Sequence, residues 1–139
     1  MKEIERKNII DLPYSLHDAR VNKINIVSDK VIMHFNEGYY KVDNDCDLIK
    51  GHIEFSNVDL DYCSVCIFDL EGGLGKFSGE RLSLQDFSEM FNNIDLEIID
   101  ETYGYNQSKF FGYIYKEDMI KECIIEIYHF DNMKYIIEE

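Results

Sequence analysis

Apolar residues recur at every second position on both sides of Ser28–Asp29: Ile24 and Ile26 precede it, and Val31, Met33 and Phe35 follow it. With those two residues as a turn, Val27 faces Lys30, Ile26 faces Val31, Ile24 faces Met33 and Asn22 faces Phe35 across an antiparallel pair. The register gathers the five apolar side chains on one side and leaves Lys23, Asn25 and His34 on the other, so a one-residue slip would scatter the core face. Pro13, the single proline, fixes its own φ and biases Leu12 toward extended backbone. The chain therefore runs from Leu12 to Arg20 into this hairpin without a helix.

The same patterning carries along the chain. A turn at Asn36–Glu37–Gly38 is followed by a short strand over Tyr39–Val42, a polar connection over Asp43–Asp47 and a strand over His52–Val58. Tyr62–Phe68 is apolar on both sides, which predicts a central strand covered on both faces. Glu71–Lys76 holds three glycines and reads as a loop. Ser83 ahead of Leu84, Phe87, Met90 and Phe91 predicts one short helix near residues 83–92, its free N–H groups capped by the serine. Leu96–Tyr105 and Lys109–Tyr115 flank Asn106–Ser108 as a hairpin, and Ile120–Phe130 and Lys134–Ile137 flank Asp131–Asn132 in the same way. Many closely spaced strands with one helix predict a mainly β (α+β) fold: a curled antiparallel sheet, or a barrel or sandwich. At 139 residues the chain is expected to form a single domain.

Charge narrows the partners. The chain carries 28 acidic against 14 basic residues, a formal net charge of -14. That field repels a phosphate backbone and excludes a nucleic-acid role, while it attracts a basic protein or cations. No stretch has the apolar length to cross a bilayer, and the first seven residues lack the apolar region of a secretion signal, so a cytoplasmic protein with no membrane partner is expected. Cys46, Cys63, Cys66 and Cys123 would then stay reduced, with three of them in apolar segments that suit small core residues. The sequence leaves open whether Cys66 and Cys123 lie close in such a core.

Asp43, Asp45, Asp47 and Glu54 occupy positions 1, 3, 5 and 12 of a calcium loop, where alternating oxygen ligands wrap a hard cation. Leu48 replaces the glycine that the sharp bend needs, and strands stand where helices should flank the loop. A solvated turn fits better, leaving Ca2+ as the one cofactor to weigh. Gly72–Ser78 departs from a phosphate loop, because Leu70 replaces its first glycine and Phe77 separates Lys76 from the hydroxyl of Ser78. Cys63 and Cys66, three apart on a strand, point to opposite faces and cannot share a metal. His17–Asp18 is the most site-like dipeptide, since a carboxylate can hold a histidine tautomer. The structural alternative is that the pair satisfies backbone groups where the chain joins the sheet. His34, His52 and His129 are expected to be half-buried strand residues. No serine or cysteine sits in a nucleophile elbow, and no acidic pair stands out, so the reading leans away from an enzyme.

The segment Leu12-Pro13-Tyr14-Ser15-Leu16-His17-Asp18-Ala19-Arg20-Val21 and its hairpin resemble the opening of small uncharacterised bacterial β-rich proteins. In that group a Leu-His-Asp motif leads into a hairpin, and some members are immunity-protein-like. The likeness covers about the first quarter of the chain. It implies a β-rich fold and a binding role, and it brings no catalytic residues. Together with the charge it yields the expectation of a small acidic protein-interaction module, an immunity-type inhibitor of a basic partner being one form. Exposed Tyr39, Tyr40, Tyr103 and Tyr105 would serve as anchors beside His17 and Asp18. The alternative is a small-ligand or cation-binding module on a curled sheet.

Overall fold

The computed structural model describes residues 1–69 and 78–138. Strands β1 (Lys2–Glu5), β2 (Tyr14–Ser15), β3 (Arg20–Val27), β4 (Lys30–Phe35), β5 (Tyr39–Lys41), β6 (Leu48–Ile49) and β7 (Gly51–Phe55) come first. A 3-10 turn at Leu60–Tyr62 leads to β8 (Ser64–Asp69), then β9 (Gly79–Ser83) and α1 (Leu84–Met90). The chain ends with β10 (Leu96–Gly104), β11 (Gln107–Lys116), β12 (Met119–Tyr128) and β13 (Lys134–Ile137). Among the described residues, ten strands form one antiparallel sheet in the order β1-β13-β7-β4-β3-β10-β11-β12-β8-β9, and β2-β5-β6 form a second, small sheet. The chain is mainly β, and the large sheet is not closed into a barrel.

The sheet folds over on itself. Phe55 of β7 and Phe110 of β11 stand four places apart in the strand order, a separation of about 19 Å in a flat sheet. Their ring centroids lie 6.1 Å apart. The crease is the seam between β3 and β10, which pair only at Leu96 with Val21 and Glu97 with Arg20. Each of those two strands carries a bulge, between Val21 and Lys23 and between Ile98 and Asp100, and bulges bend and twist a strand locally. The two halves enclose one core, to which Val31, Met33, Ile53 and Phe55 come from one side and Val65, Ile98, Phe110 and Ile125 from the other. Helix α1, capped by Ser83 Oγ accepting from Asp86 N at 3.0 Å, packs against β3, β8 and β9 and adds fully buried Leu84 and Phe87. Among the described residues no helix is long and apolar enough to cross a membrane.

The hairpin has the expected pairs from Val27–Lys30 to Ile24–Met33, but Asn22 is the extra residue of the bulge, so Val21 faces Phe35 and enters the core. The turn between β10 and β11 is two residues long and turns on Asn106 at φ 52, shorter than the expected Asn106–Ser108 loop. Instead of pairing with β13, β12 pairs with β11 and β8, while β13 crosses to β7 and β1. The expected strand over Tyr62–Phe68 starts later: Tyr62 ends the 3-10 turn and is 65% exposed, Cys63 caps that turn and is buried, and in β8 Val65 and Ile67 are on the core side while Cys66 and Phe68 on the other side are only half-buried. Cys66 pairs with Ile124 and Cys123 with Ile67, so the two cysteines face opposite sides of the sheet. The phosphate-loop match and its glycines fall largely at residues 70–77, outside the described residues.

Candidate functional site

Where the small sheet meets the seam, the surface opens into a cleft of about 280 Å³. Three carboxylates, Asp18, Glu37 and Asp95, line it together with Arg20, Tyr40 and Leu48. The floor is set by backbone: Asn36 N donates to Arg20 O at 2.8 Å, and Asp18 N donates to Ile98 O at 2.8 Å. Gly38, at φ 94, turns the chain toward β5 where a Cβ would overlap the Ile49 carbonyl. Tyr40 and Leu48 are cross-strand neighbours in the small sheet, 41% and 47% exposed, and Val42 beside them is 54% exposed.

Arg20 does not neutralise this cleft. Its Nη1 donates to Asp95 Oδ1 at 3.0 Å, its Nη2 lies 3.8 Å from Glu97 Oε2, and its guanidinium stacks on the Tyr115 ring at 4.7 Å. The hydrogen bond to Asp95 holds its pKa above the ordinary arginine value. Among the described residues Glu37 has no ion-pair partner and Asp18 has only His17, with no lysine or arginine on either, in a cleft rimmed by exposed apolar side chains. Such an arrangement takes a cation on an apolar stem, the chemistry of a lysine or arginine side chain.

His17 and Asp18 come together at this rim. Asp18 has φ 67, which breaks strand alternation and brings its Oδ2 to 3.1 Å from His17 Nδ1, with both side chains more than half exposed. Among the described residues the Asp18 carboxylate accepts from no backbone group; its contribution to the strand junction is its own N–H, so the expected side-chain role in the fold is corrected. Leu16 N is satisfied by Glu101 Oε2 at 2.7 Å, and Ala19 N by Leu16 O at 3.0 Å.

The four tyrosines separate. Tyr39 is fully buried, donating to His52 O at 3.0 Å and packing against Tyr14, Phe35 and Tyr135, so it anchors the core and not a partner. Tyr40 lines the cleft, Tyr103 is half-buried against Phe110, and Tyr105 is 92% exposed at the β10–β11 turn. The calcium reading also separates: Asp43 Oδ1 accepts from Asp45 N and Cys46 N, both at 3.0 Å, as a self-contained turn. Glu54 sits on β7 with His52 Nε2 at 3.4 Å and Lys30 Nζ at 3.7 Å, away from that turn. Among the described residues no group of three His, Cys, Asp or Glu side chains is disposed to hold a metal.

Sequence reasoning missed two polar arrangements. Glu101, desolvated by burial so that its pKa rises, accepts from Leu16 N and, through Oε1, from Tyr103 Oη at 2.8 Å. His129 is 5% exposed, where a half-buried residue was expected. Its Nδ1 lies 2.7 Å from Asp131 O, a carbonyl that can only accept, so Nε2 accepts from Ser108 Oγ at 2.7 Å. The pairing is that of a nucleophile and its base, but Ser108 is fully buried and His129 packs edge-on to Phe55 at 4.9 Å, out of reach of substrate. Neither arrangement has a local sequence signal, since only the fold brings Leu16 to Glu101 and Ser108 to His129.

Compared with known proteins, this chain matches no protein family, no curated protein and no solved structure.

Proposed function

We propose that the protein is a recognition module that captures a basic segment of a partner protein in the acidic cleft, with inhibition of that partner in the manner of an immunity protein as its biological form. One observation carries the reading: among the described residues neither Asp18 nor Glu37 has a lysine or arginine partner, Asp18 meeting only His17, in a cleft whose rim exposes Tyr40 and Leu48. An apolar anchor flanked by unneutralised charge gives both contact area and selectivity, because complementary charge speeds encounter and rejects partners of the wrong sign. The formal net charge of -14 extends that attraction beyond the cleft. The resemblance of the Leu12–Val21 segment to immunity-protein-like chains supports the inhibitory form, since Asp18 and Arg20 of that segment line the same cleft.

Affinity capture from the native host at low and high salt, with the wild-type chain and an Asp18→Lys/Glu37→Lys/Tyr40→Ala variant, tests this. The expected result is a basic protein retained at low salt, released at high salt and lost with the variant, its contact residues mapping by amide NMR to residues 18–20, 36–40 and 48. Failure to capture a basic partner at low salt, or equal capture by the variant, refutes it.

A further inference from the structure

On the other side of the β10–β11 turn, a second cleft of about 410 Å³ is lined by Arg6, Asn8, Ile9, Leu12, Tyr103 and Tyr105. Its chemistry is the reverse of the first. Arg6 is 6% exposed, and among the described residues it has no carboxylate within ion-pair distance. Its Nη1 donates to Lys7 O at 3.2 Å and its Nη2 to Asn8 Oδ1 at 2.9 Å, while Nε, also buried, has no acceptor. Two of five guanidinium N–H donors are therefore engaged. The guanidinium lies over the Tyr103 ring, 4.1 Å from its centroid, which fixes its plane without supplying an anion. The Glu101 carboxyl, which shares Tyr103 with Arg6, has one oxygen on Tyr103 Oη and the other on Leu16 N.

A buried cation with no countercharge is costly, and proteins hold one where an anion completes it. Around Arg6 the walls are apolar: Ile9 is 53% exposed, Tyr105 is 92% exposed and Leu12 is half-buried. We propose that this cleft binds a carboxylate attached to a small aromatic or branched apolar body, with Arg6 holding the carboxylate and Ile9, Leu12 and Tyr105 holding the body. The net negative charge of the chain does not prevent this, since charges more than about 8 Å away are largely screened at physiological salt. The proposal is independent of the acidic cleft and its partner.

The probe is phenylacetate, titrated against 15N-labelled protein and followed by amide and arginine Nε–H signals, with neutral phenylacetamide as its control. Saturable shifts confined to residues 6–12 and 103–105 are expected, with the amide at least about tenfold weaker. Arg6→Gln should weaken phenylacetate by a similar factor. Should that variant fail to fold, Tyr105→Ser, which removes an exposed side chain, should still weaken binding severalfold with the spectrum otherwise unchanged. N-acetyl-Gly-Phe and its C-terminal amide separate the sources of the carboxylate: tighter binding of this peptide acid than of phenylacetate assigns the cleft to a peptide C-terminus, and the reverse to a free small acid. Equal responses to phenylacetate and phenylacetamide, no saturation by about 10 mM, or a Tyr105→Ser titration identical to wild type would overturn the proposal.

Discussion

Glu101 offers a prediction in which stability and pH must move together. Replacing it by alanine strips the acceptor from Leu16 N, which belongs to a fully buried residue, and from Tyr103 Oη. Leaving a buried polar group unpaired costs about 1–3 kcal/mol, two groups lose their partner here, and removing a desolvated carboxyl returns part of the sum, so Glu101→Ala should lose about 2–4 kcal/mol. Glutamine behaves differently. Its carbonyl can accept from Leu16 N while its NH2 donates to a Tyr103 hydroxyl that turns from donor to acceptor, so Glu101→Gln should cost less than about 1 kcal/mol near pH 4.5. Burial raises the Glu101 pKa above its ordinary 4.5, opposed by the hydrogen bonds from Tyr103 and Leu16 N. A carboxyl raised by folding binds its proton more tightly in the folded state. Its contribution is therefore fully present below 4.5 and is lost as pH rises through the folded value. Wild type should lose ground to the glutamine variant as pH rises from 4.5 through the folded value, by about 1.4 kcal/mol for each pH unit by which folding raises the group. Urea titrations of both proteins across that range give the difference, and the other carboxylates cancel in it. A gap independent of pH, or an alanine variant within about 0.5 kcal/mol of wild type, would refute the reasoning.

Three further outcomes are expected. Phe87→Ala, which empties a fully buried site beneath α1 and removes the contact with Phe91 at 4.8 Å, should cost about 3–5 kcal/mol in a denaturant titration. His34 is held below its ordinary 6.5 by burial, with His52 and Lys23 adding repulsion, so its contribution is present above 6.5 and lost as pH falls through the lowered value. His34→Gln should accordingly flatten the fall in melting temperature between about pH 7 and pH 5. Asp18→Asn, which keeps a side chain tolerant of φ 67 and removes an exposed charge, should leave the denaturation midpoint within about 0.5 kcal/mol while weakening capture of a basic partner.

The parts of the fold legible in the sequence were those written in local pattern. The β3–β4 hairpin follows from alternation around a two-residue turn, and α1 from a capping serine ahead of apolar residues at helical spacing. The β12–β13 hairpin was misread because Asp131–Asn132 carries turn chemistry without setting what the next strand pairs with, and β13 instead crosses to β7. Of the candidate site, Asp18 and Tyr40 were legible as polar and aromatic surface, whereas Glu37 and Asp95 join them only because the seam between β3 and β10 brings residues far apart in sequence together. Tyr39 and Tyr40 show the limit of composition as a guide. Adjacent on one strand, they face opposite ways, so one tyrosine belongs to the core and the other to the cleft.

The bulge in β10 explains why the inward polar groups Glu101 and Tyr103 escaped sequence reading and how they come to face the core. In an unbroken β10, the face that carries Leu96 and Ile98 would continue through Asp100 and Thr102, and Glu101 and Tyr103 would point to solvent. Ile99 is the extra residue, opposite nothing on β11, and past it the alternation reverses: Asp100 pairs with Phe111 on the outer face and Glu101 with Phe110 on the core face. That single insertion turns a carboxylate inward, where it meets Leu16 N, and turns Tyr103 inward, where its ring receives the Arg6 guanidinium. The bulge at Asn22 acts on the facing strand of the same seam, where Asn22 O accepts from Ile94 N at 3.2 Å and Val21 is turned into the core. Both irregularities lie where the sheet creases, so the bend that closes the core also places the charged groups that an alternating pattern would have left outside. A pattern with period two has no symbol for an inserted residue, and it is at the inserted residues that this chain departs from a plain hydrophobic core.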